Sequence, residues 1–122
     1  MQILEIAFTG YSITDMARAK AFYEGVLGLK KSRGFGEQPG QDQWVEYDIG
    51  EGTLAICTAD KDNKPGLQGA TVGLEAVNLD SLMEHLKAKS VPLDGSPFDT
   101  PVCRGCIVRD PDNNKIIMHA RK

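Results

Sequence analysis

The sequence predicts an α+β fold built from two consecutive βαβββ modules. Two stretches of helical periodicity, each preceded by a short β-prone run and followed by further β-prone runs, indicate the same element order twice within 122 residues. A polar stretch at 59–69 separates the halves, so we expect one module at about 1–60 and the other at about 68–122. The chain is long enough for one hydrophobic core, so the two modules are expected to form a single domain.

The first half begins with a β-prone run at 3–9, which is predicted to end at Gly10. Thr14 or Asp15 then offers a side-chain oxygen as the N-cap of a helix. The apolar residues of that helix recur on one face and comprise Met16, Ala19, Phe22, Tyr23, Val26 and Leu27. Gly28 is expected to end the helix, and the Gly-rich, charged segment 30–43 is predicted to be a loop.

Alternating residues predict the strands that complete the first half. Val45, Tyr47 and Ile49 alternate with more polar neighbours, which indicates a strand with its apolar side under the helix. The GEG sequence at 50–52 predicts a hairpin turn, and TLAICT at 53–58 predicts the partner strand.

The second half repeats this order. ATVGLEAV at 70–77 predicts a strand, and Asn78 is the expected N-cap of a helix whose apolar face carries Leu79, Leu82, Met83 and Leu86. SVPL at 90–93, PVCRGCIVR at 101–109 and KIIMHA at 115–120 are predicted strands, and DPDNN at 110–114 is a turn. The segment 94–104 is otherwise loop-like.

Composition excludes several classes of partner. The chain has 14 basic and 17 acidic residues, a net charge of −3, and no cluster of cations, so a nucleic-acid partner is not expected. It has no long apolar run and no leader-like start, so we expect a cytoplasmic protein without a membrane partner.

Three cysteines give no disulfide framework, and Cys103 and Cys106 in a strand point to opposite faces.

Three motifs resemble the vicinal oxygen chelate superfamily, which includes glyoxalases, bleomycin resistance proteins and extradiol dioxygenases. They are RAKAFYEGVLGLK at 18–30, GEGTLAIC at 50–57 and RDPDNNKIIMH at 109–119. The resemblance covers essentially the whole chain. It implies a pair of βαβββ modules whose curved mixed sheets surround a cleft, and commonly a homodimer.

The resemblance also implies four positions at which metal-dependent members carry ligands. In this sequence they fall at Phe8, Ile56, Thr71 and Ile117, and none of these residues is a competent ligand for a divalent metal. A register shifted by one would bring in Glu5, Cys57 and His119, of which only His119 shares the expected face. We therefore expect no metal site and no cofactor.

Alternation from these positions predicts a cleft with apolar and acidic walls. The ligand-binding set is Phe8, Trp44, Glu46, Leu54, Ile56, Thr71, Glu75, Ile117 and His119. Such a lining favours a metal-independent protein that binds an amphipathic or cationic small molecule, similar to the drug-sequestering branch of the family. Each polar member also has a simpler interpretation, because Trp44 can pack at a subunit interface and Glu46, Glu75 and His119 can sit solvated at a rim.

An enzyme is the alternative function. It would be a lyase, isomerase or dioxygenase that uses Glu46, Glu75 or His119 as a general base, or a non-standard metal site. A pure interaction module is a third class, for which the sequence offers no specific signal. A calcium loop at DPDNN is rejected, because Lys115 and Arg121 stand where such a loop needs Gly and Glu.

Overall fold

The structure, a computed structural model, describes residues 5–58, 64–66 and 69–122. The chain divides into two compact units, Met1–Pro65 and Gly66–Lys122. The first contains β1 (Thr9–Ser12), α1 (Met16–Lys20) with a π-helical continuation (Ala21–Val26), β2 (Arg33–Phe35), β3 (Trp44–Ile49) and β4 (Gly52–Cys57). The second contains β5 (Thr71–Glu75), α2 (Leu79–Ala88), β6 (Phe98–Asp99), β7 (Cys103–Arg109) and β8 (Lys115–Arg121). The predicted α+β fold with two βαβββ modules is confirmed.

Each unit has one four-stranded mixed sheet. The strand order is β1-β4-β3-β2 in the first unit and β5-β8-β7-β6 in the second. In both sheets the first strand pairs in parallel with the last one, and the other pairs are antiparallel. The equivalent order in the two sheets confirms the structural repeat inferred from the sequence.

The helix of the first unit begins where the sequence predicts. Asp15 is the N-cap, and its Oδ1 accepts a hydrogen bond from the Arg18 amide at 3.1 Å. The helix then widens, and the Leu27 amide donates to the Phe22 carbonyl five residues earlier. Phe22 and Tyr23 are buried in this widened segment, and the Tyr23 ring stacks on Tyr47 of β3 with centroids 6.0 Å apart. The helix therefore covers the β3 face that carries Tyr47, as predicted.

Two predicted strands and two predicted loops need correction. The first strand was predicted at 3–9, but it runs from Thr9 to Ser12, so Gly10 lies inside it and the described residues 5–8 precede it. SVPL at 90–93 is not a strand, because Ser90 adopts a left-handed φ of 60° after α2 and Pro92 has no amide hydrogen. The strand of that region is β6, inside a segment predicted to be a loop. Similarly, β2 lies inside the predicted loop at 30–43. Most of the linker at 59–69 lies outside the described residues.

The DPDNN turn is held by a buried polar network. Asp110 Oδ1 accepts from the Asp112 and Asn114 amides at 2.9 and 2.8 Å, and Asp110 Oδ2 accepts from Asn114 Nδ2 at 2.9 Å. Asn114 Oδ1 accepts from the Gly66 amide at 3.0 Å. Asp110 and Asn114 are only 4% and 2% exposed. Because these oxygens already have partners within the chain, the motif has a structural role in the second unit.

Among the described residues, no helix is long and apolar enough to cross a membrane. The cysteines are free thiols, with Cys57 and Cys106 buried and Cys103 partly exposed. Cys103 pairs with Arg121 and Cys106 pairs with Met118, and these positions lie on opposite faces of β7.

Candidate functional site

The predicted site residues divide between the two units. In the first unit, strand register decides which side chains share a face, because directly paired residues project to the same side of a sheet. Trp44 pairs with Phe35 and Cys57, and Glu46 pairs with Arg33 and Ala55. These residues, together with Gly10, which pairs with Ala55, form a surface that we call the Trp44 face.

Phe8 belongs to the Trp44 face although it precedes β1. Its ring contacts the indole of Trp44 edge to face, with centroids 5.0 Å apart and planes at 85°. Gly10 lies beneath this contact, since a Cβ at that position would stand 3.9 Å from both aromatic rings. Phe8 and Phe35 are 47% and 57% exposed. The face therefore presents aromatic surface above a floor of small residues.

Glu46 holds the indole of Trp44 in one orientation on this face. Its Oε2 accepts from Trp44 Nε1 at 2.7 Å, and its Oε1 accepts from Arg33 Nε at 2.7 Å. Arg33 also binds Asp48, with Nη1 donating to Oδ2 at 3.1 Å. Arg33 first, and then Trp44, lower the pKa of Glu46. Glu46 is consequently a weak base, which makes it a poor general-base candidate.

The predicted placement of Leu54 and Ile56 beside Trp44 is wrong. Leu54 pairs with Tyr47 and Ile56 pairs with Val45, so both project to the helix side, where they are 2% and 0% exposed. β4 is apolar on both faces, and alternation therefore gave no signal for its orientation. The error follows from the position that the family resemblance implies at Ile56, because Gly10 of β1 pairs with Ala55 and a shift of one residue along a strand reverses the face.

In the second unit the predicted residues do share one face. Gly73 pairs with Ile117, and Glu75 pairs with His119, whereas the neighbouring Met118 points to the buried side. Thr71, Gly73, Glu75, Ile117 and His119 therefore form a second surface, the His119 face. Thr71 and Glu75 are exposed, and Ile117 and His119 are half-buried.

A hydrogen-bonded pair dominates the His119 face. His119 Nδ1 lies 2.7 Å from Glu75 Oε1, and Glu75 Oε2 accepts from the Arg121 amide at 2.8 Å. His119 first, and then the Arg121 amide, lower the pKa of Glu75. Glu75 is thus also a weak base, and its chemical role is to orient the imidazole.

Comparison with known proteins supports the fold and gives the family. The family model of the Glyoxalase/Bleomycin resistance protein/Dioxygenase superfamily matches residues 5–118. The chain belongs to this superfamily. No curated protein gives a significant match to the sequence.

Several solved structures have a fold similar to that of this chain. TnmS3, an antibiotic binding protein from Streptomyces sp. CB03234, is 24% identical with a TM-score of 0.82, and the match covers 100% of this chain and 99% of that protein. A lactoylglutathione lyase from Agrobacterium tumefaciens is 21% identical with a TM-score of 0.74, covering 98% and 96%. A superfamily member from Sphaerobacter thermophilus DSM 20745 is 20% identical with a TM-score of 0.79, covering 98% and 99%. At these identities the likeness concerns the fold.

The residues at the positions that the family resemblance implies do not fit the divalent metal of metal-dependent superfamily members. Phe8 and Ile117 offer no donor atom, Thr71 offers only a hydroxyl, and the apolar Ile56 lies on the helix side of β4. Among residues 5–58, 64–66 and 69–122, no group of three or more His, Cys, Asp or Glu side chains is arranged to hold an ion.

Sequence reasoning missed Arg33 and Phe35 on the Trp44 face. Both belong to β2, which has three residues and a central glycine, so neither alternation nor β-propensity marked it. The Arg33 pairing with Glu46 and Asp48 has no sequence signal, because the partners lie 13 and 15 positions away.

A pocket of about 560 Å³ lies elsewhere in the second unit. It is lined by residues of α2 and the segment after it, namely Met83, Glu84, Lys87, Ser90, Val91, Pro92 and Leu93. None of the predicted site residues contributes to it. The predicted chemistry thus maps to the two sheet faces and not to this pocket.

Proposed function

We propose that this protein is a metal-independent small-molecule binding protein and that the Trp44 face forms part of its binding site. The observation that carries the proposal is the edge-to-face contact of Phe8 and Trp44 above Gly10, with Trp44 fixed by Glu46. Aromatic side chains held in fixed orientations bind planar rings well, because little conformational freedom is lost on binding. The proposed ligand is therefore an amphipathic molecule with a planar aromatic group.

The charges of the Trp44 face refine the ligand class. Glu46 and Asp48 share the guanidinium of Arg33, so two carboxylates face one cation. The carboxylates are largely neutralised by this pairing, and one negative charge remains in excess. We therefore propose that ring stacking dominates affinity and that a positive charge on the ligand adds a smaller preference.

The nature of one structural relative supports a binding role. TnmS3 is an antibiotic binding protein, and its fold matches this chain over the full length. The mismatch between the chain's residues and a divalent metal site also favours binding over metal-assisted catalysis. We propose an aromatic antibiotic or a similar toxic compound as the natural ligand class.

The fluorescence of Trp44 can test the proposal, because the protein contains one tryptophan and its emission therefore comes from the Trp44 face. Its fluorescence should be titrated with proflavine, a planar cation, and with 1-anilinonaphthalene-8-sulfonate, a planar anion. We expect saturable quenching by both compounds, with proflavine binding a few-fold more tightly. Phe8→Ala should weaken both by about tenfold, the equivalent of about 1.4 kcal/mol for one aromatic contact.

Val77→Ala is the matched control, since Val77 is fully exposed and belongs to the second unit. It should leave both titrations unchanged. Equal affinities of the wild type and Phe8→Ala would remove the Trp44 face from the proposed site.

An enzyme is a second candidate function, favoured by the His119–Glu75 pair. A carboxylate that orients an imidazole is a common arrangement for a general base. A lactoylglutathione lyase is also among the structural relatives. Turnover of lactoylglutathione by the metal-depleted protein, lost in His119→Asn and kept in His85→Asn, would support this function over binding alone.

We also propose a cytoplasmic homodimer, as the family resemblance implies. Light scattering on the purified protein tests the dimer, and a single-chain mass would contradict it.

A further inference from the structure

A row of four paired residues crosses the sheet of the second unit on the His119 face. Phe98 of β6 pairs with Gly105 of β7, Gly105 pairs with His119 of β8, and His119 pairs with Glu75 of β5. Directly paired residues project to the same side, so these positions form one line across the sheet. We call this line the Phe98–Glu75 row.

Glu75 at one end of the row fixes the imidazole of His119. One of its oxygens contacts His119 Nδ1 at 2.7 Å, while the Arg121 amide holds the other at 2.8 Å. The lowered pKa of Glu75 keeps it ionised, and an ionised carboxylate only accepts hydrogen bonds. His119 Nδ1 therefore carries the hydrogen, which leaves Nε2 as the acceptor of the neutral ring.

Phe98 at the other end supplies an aromatic wall. Its ring lies over Gly105, because a Cβ on Gly105 would stand 2.9 Å from Phe98 Cε1 and 2.8 Å from the Met118 carbonyl oxygen. Adjacent strands are about 4.8 Å apart, so the ring lies about one strand spacing from the His119 position. Only glycine leaves room for this arrangement.

We propose that the Phe98–Glu75 row recognises the hydroxyl of a phenol-type ligand, with the ligand ring against Phe98 and its O–H donating to His119 Nε2. The His119 side chain is 29% exposed, so a ligand can reach it. Ile117 extends the apolar surface of the same face. The site lies within the second unit and does not depend on the Trp44 face.

The tautomer of His119 is the first test. The protein has two histidines, and His85 on the exposed side of α2 serves as an internal reference. Nitrogen-15 NMR of the imidazoles at pH 8 should show His119 with its hydrogen on Nδ1, and Glu75→Gln should remove this bias without changing His85. A hydrogen predominantly on Nε2 of His119 in the wild type would overturn the proposal.

Ligand binding is the second test, with 4-chlorophenol and its methyl ether 4-chloroanisole as a matched pair. We expect 4-chlorophenol to shift the His119 ring signals saturably and 4-chloroanisole to bind about tenfold more weakly, the loss expected for one hydrogen bond of about 1.4 kcal/mol. Phe98→Leu should weaken 4-chlorophenol binding while the His119 tautomer is kept. Equal binding of the two compounds, or no shift of His119, would overturn the proposal.

These outcomes are distinguishable from those of the Trp44 titration. His119 signals report on the second unit, whereas Trp44 fluorescence reports on the first. A failure of one test therefore leaves the other result intact.

Discussion

Trp44 and Glu46 lie two residues apart on the same face of β3, and the indole Nε1–H donates to Glu46 Oε2 at 2.7 Å. The other oxygen of Glu46 accepts from Arg33 Nε at 2.7 Å. The sheet face of β3, a strand paired on both sides, thereby holds a large aromatic ring in one orientation. In the proposed function, this orientation suits the Trp44 face to stacking on a planar ligand.

Replacing Glu46 with Ala should release the indole of Trp44. We expect the emission of Trp44 to move to longer wavelength, because a mobile indole meets more water, and proflavine affinity to fall several-fold. Asp48→Ala is the matched control, since Asp48 also pairs with Arg33 but does not contact Trp44 through a hydrogen bond. Identical emission spectra of the two variants would show that Glu46 does not position Trp44.

Acid should release Trp44 in the same way. The pKa of Glu46 is lowered in the folded protein, chiefly by Arg33, so the stabilisation from this carboxylate is fully present above its unfolded value of about 4.3. It is lost as the pH falls through the lower folded value. Trp44 emission should therefore be constant from pH 7 to about 5 and change only below about 4. A transition centred near pH 6 would contradict this assignment.

Gly105 should tolerate no side chain. Gly105→Ala would force its Cβ against Phe98 and the Met118 carbonyl, and the free energy of unfolding should fall by about 1–3 kcal/mol. Gly73→Ala is the control, because it lies on the same face of the second sheet and its Cβ would meet no atom within 4 Å. Urea denaturation of both variants measures the difference. An equal loss of stability in both variants would mean that glycine is needed at position 105 for its backbone freedom and not for the contact with Phe98.

Asn114 should contribute more to the stability of the fold than its neighbour Asn113. Asn114→Ala removes the acceptor of the buried Gly66 amide and a donor to Asp110, at a cost of about 1–3 kcal/mol. Asn113 has a φ of 68°, so Asn113→Gly should change stability by less than about 1 kcal/mol. Thermal unfolding tests both, and added calcium should not raise the melting temperature of the wild type. A small effect of Asn114→Ala would contradict the structural role of the DPDNN turn.

The sequence predicted the helices and the long strands because their signals are local. Asp15 and Asn78 are N-caps, and Tyr47 packs under the first helix, as capping and alternation indicate. The short strands β2 and β6 carry no such signal, since they exist only through pairing with a long neighbour.

The candidate site was predictable in part for the same reason. In the second sheet, strand alternation extended from Thr71 and Ile117, two positions that the family resemblance implies, predicts Glu75 and His119 on one face, and the register places them there. In the first sheet, the run Leu54–Cys57 is buried on both faces, and Leu54 and Ile56 were therefore assigned to the wrong side. Contacts between distant residues, such as Arg33 with Glu46 or Phe98 over Gly105, depend on register and could not be read from spacing.

The most direct test of metal-independent binding at the Trp44 face is a proflavine titration of Trp44 fluorescence on protein dialysed against EDTA, repeated after addition of Zn²⁺ or Ni²⁺. The account predicts the same saturable quenching in all three samples. Quenching that disappears after EDTA treatment and returns with either metal would contradict it.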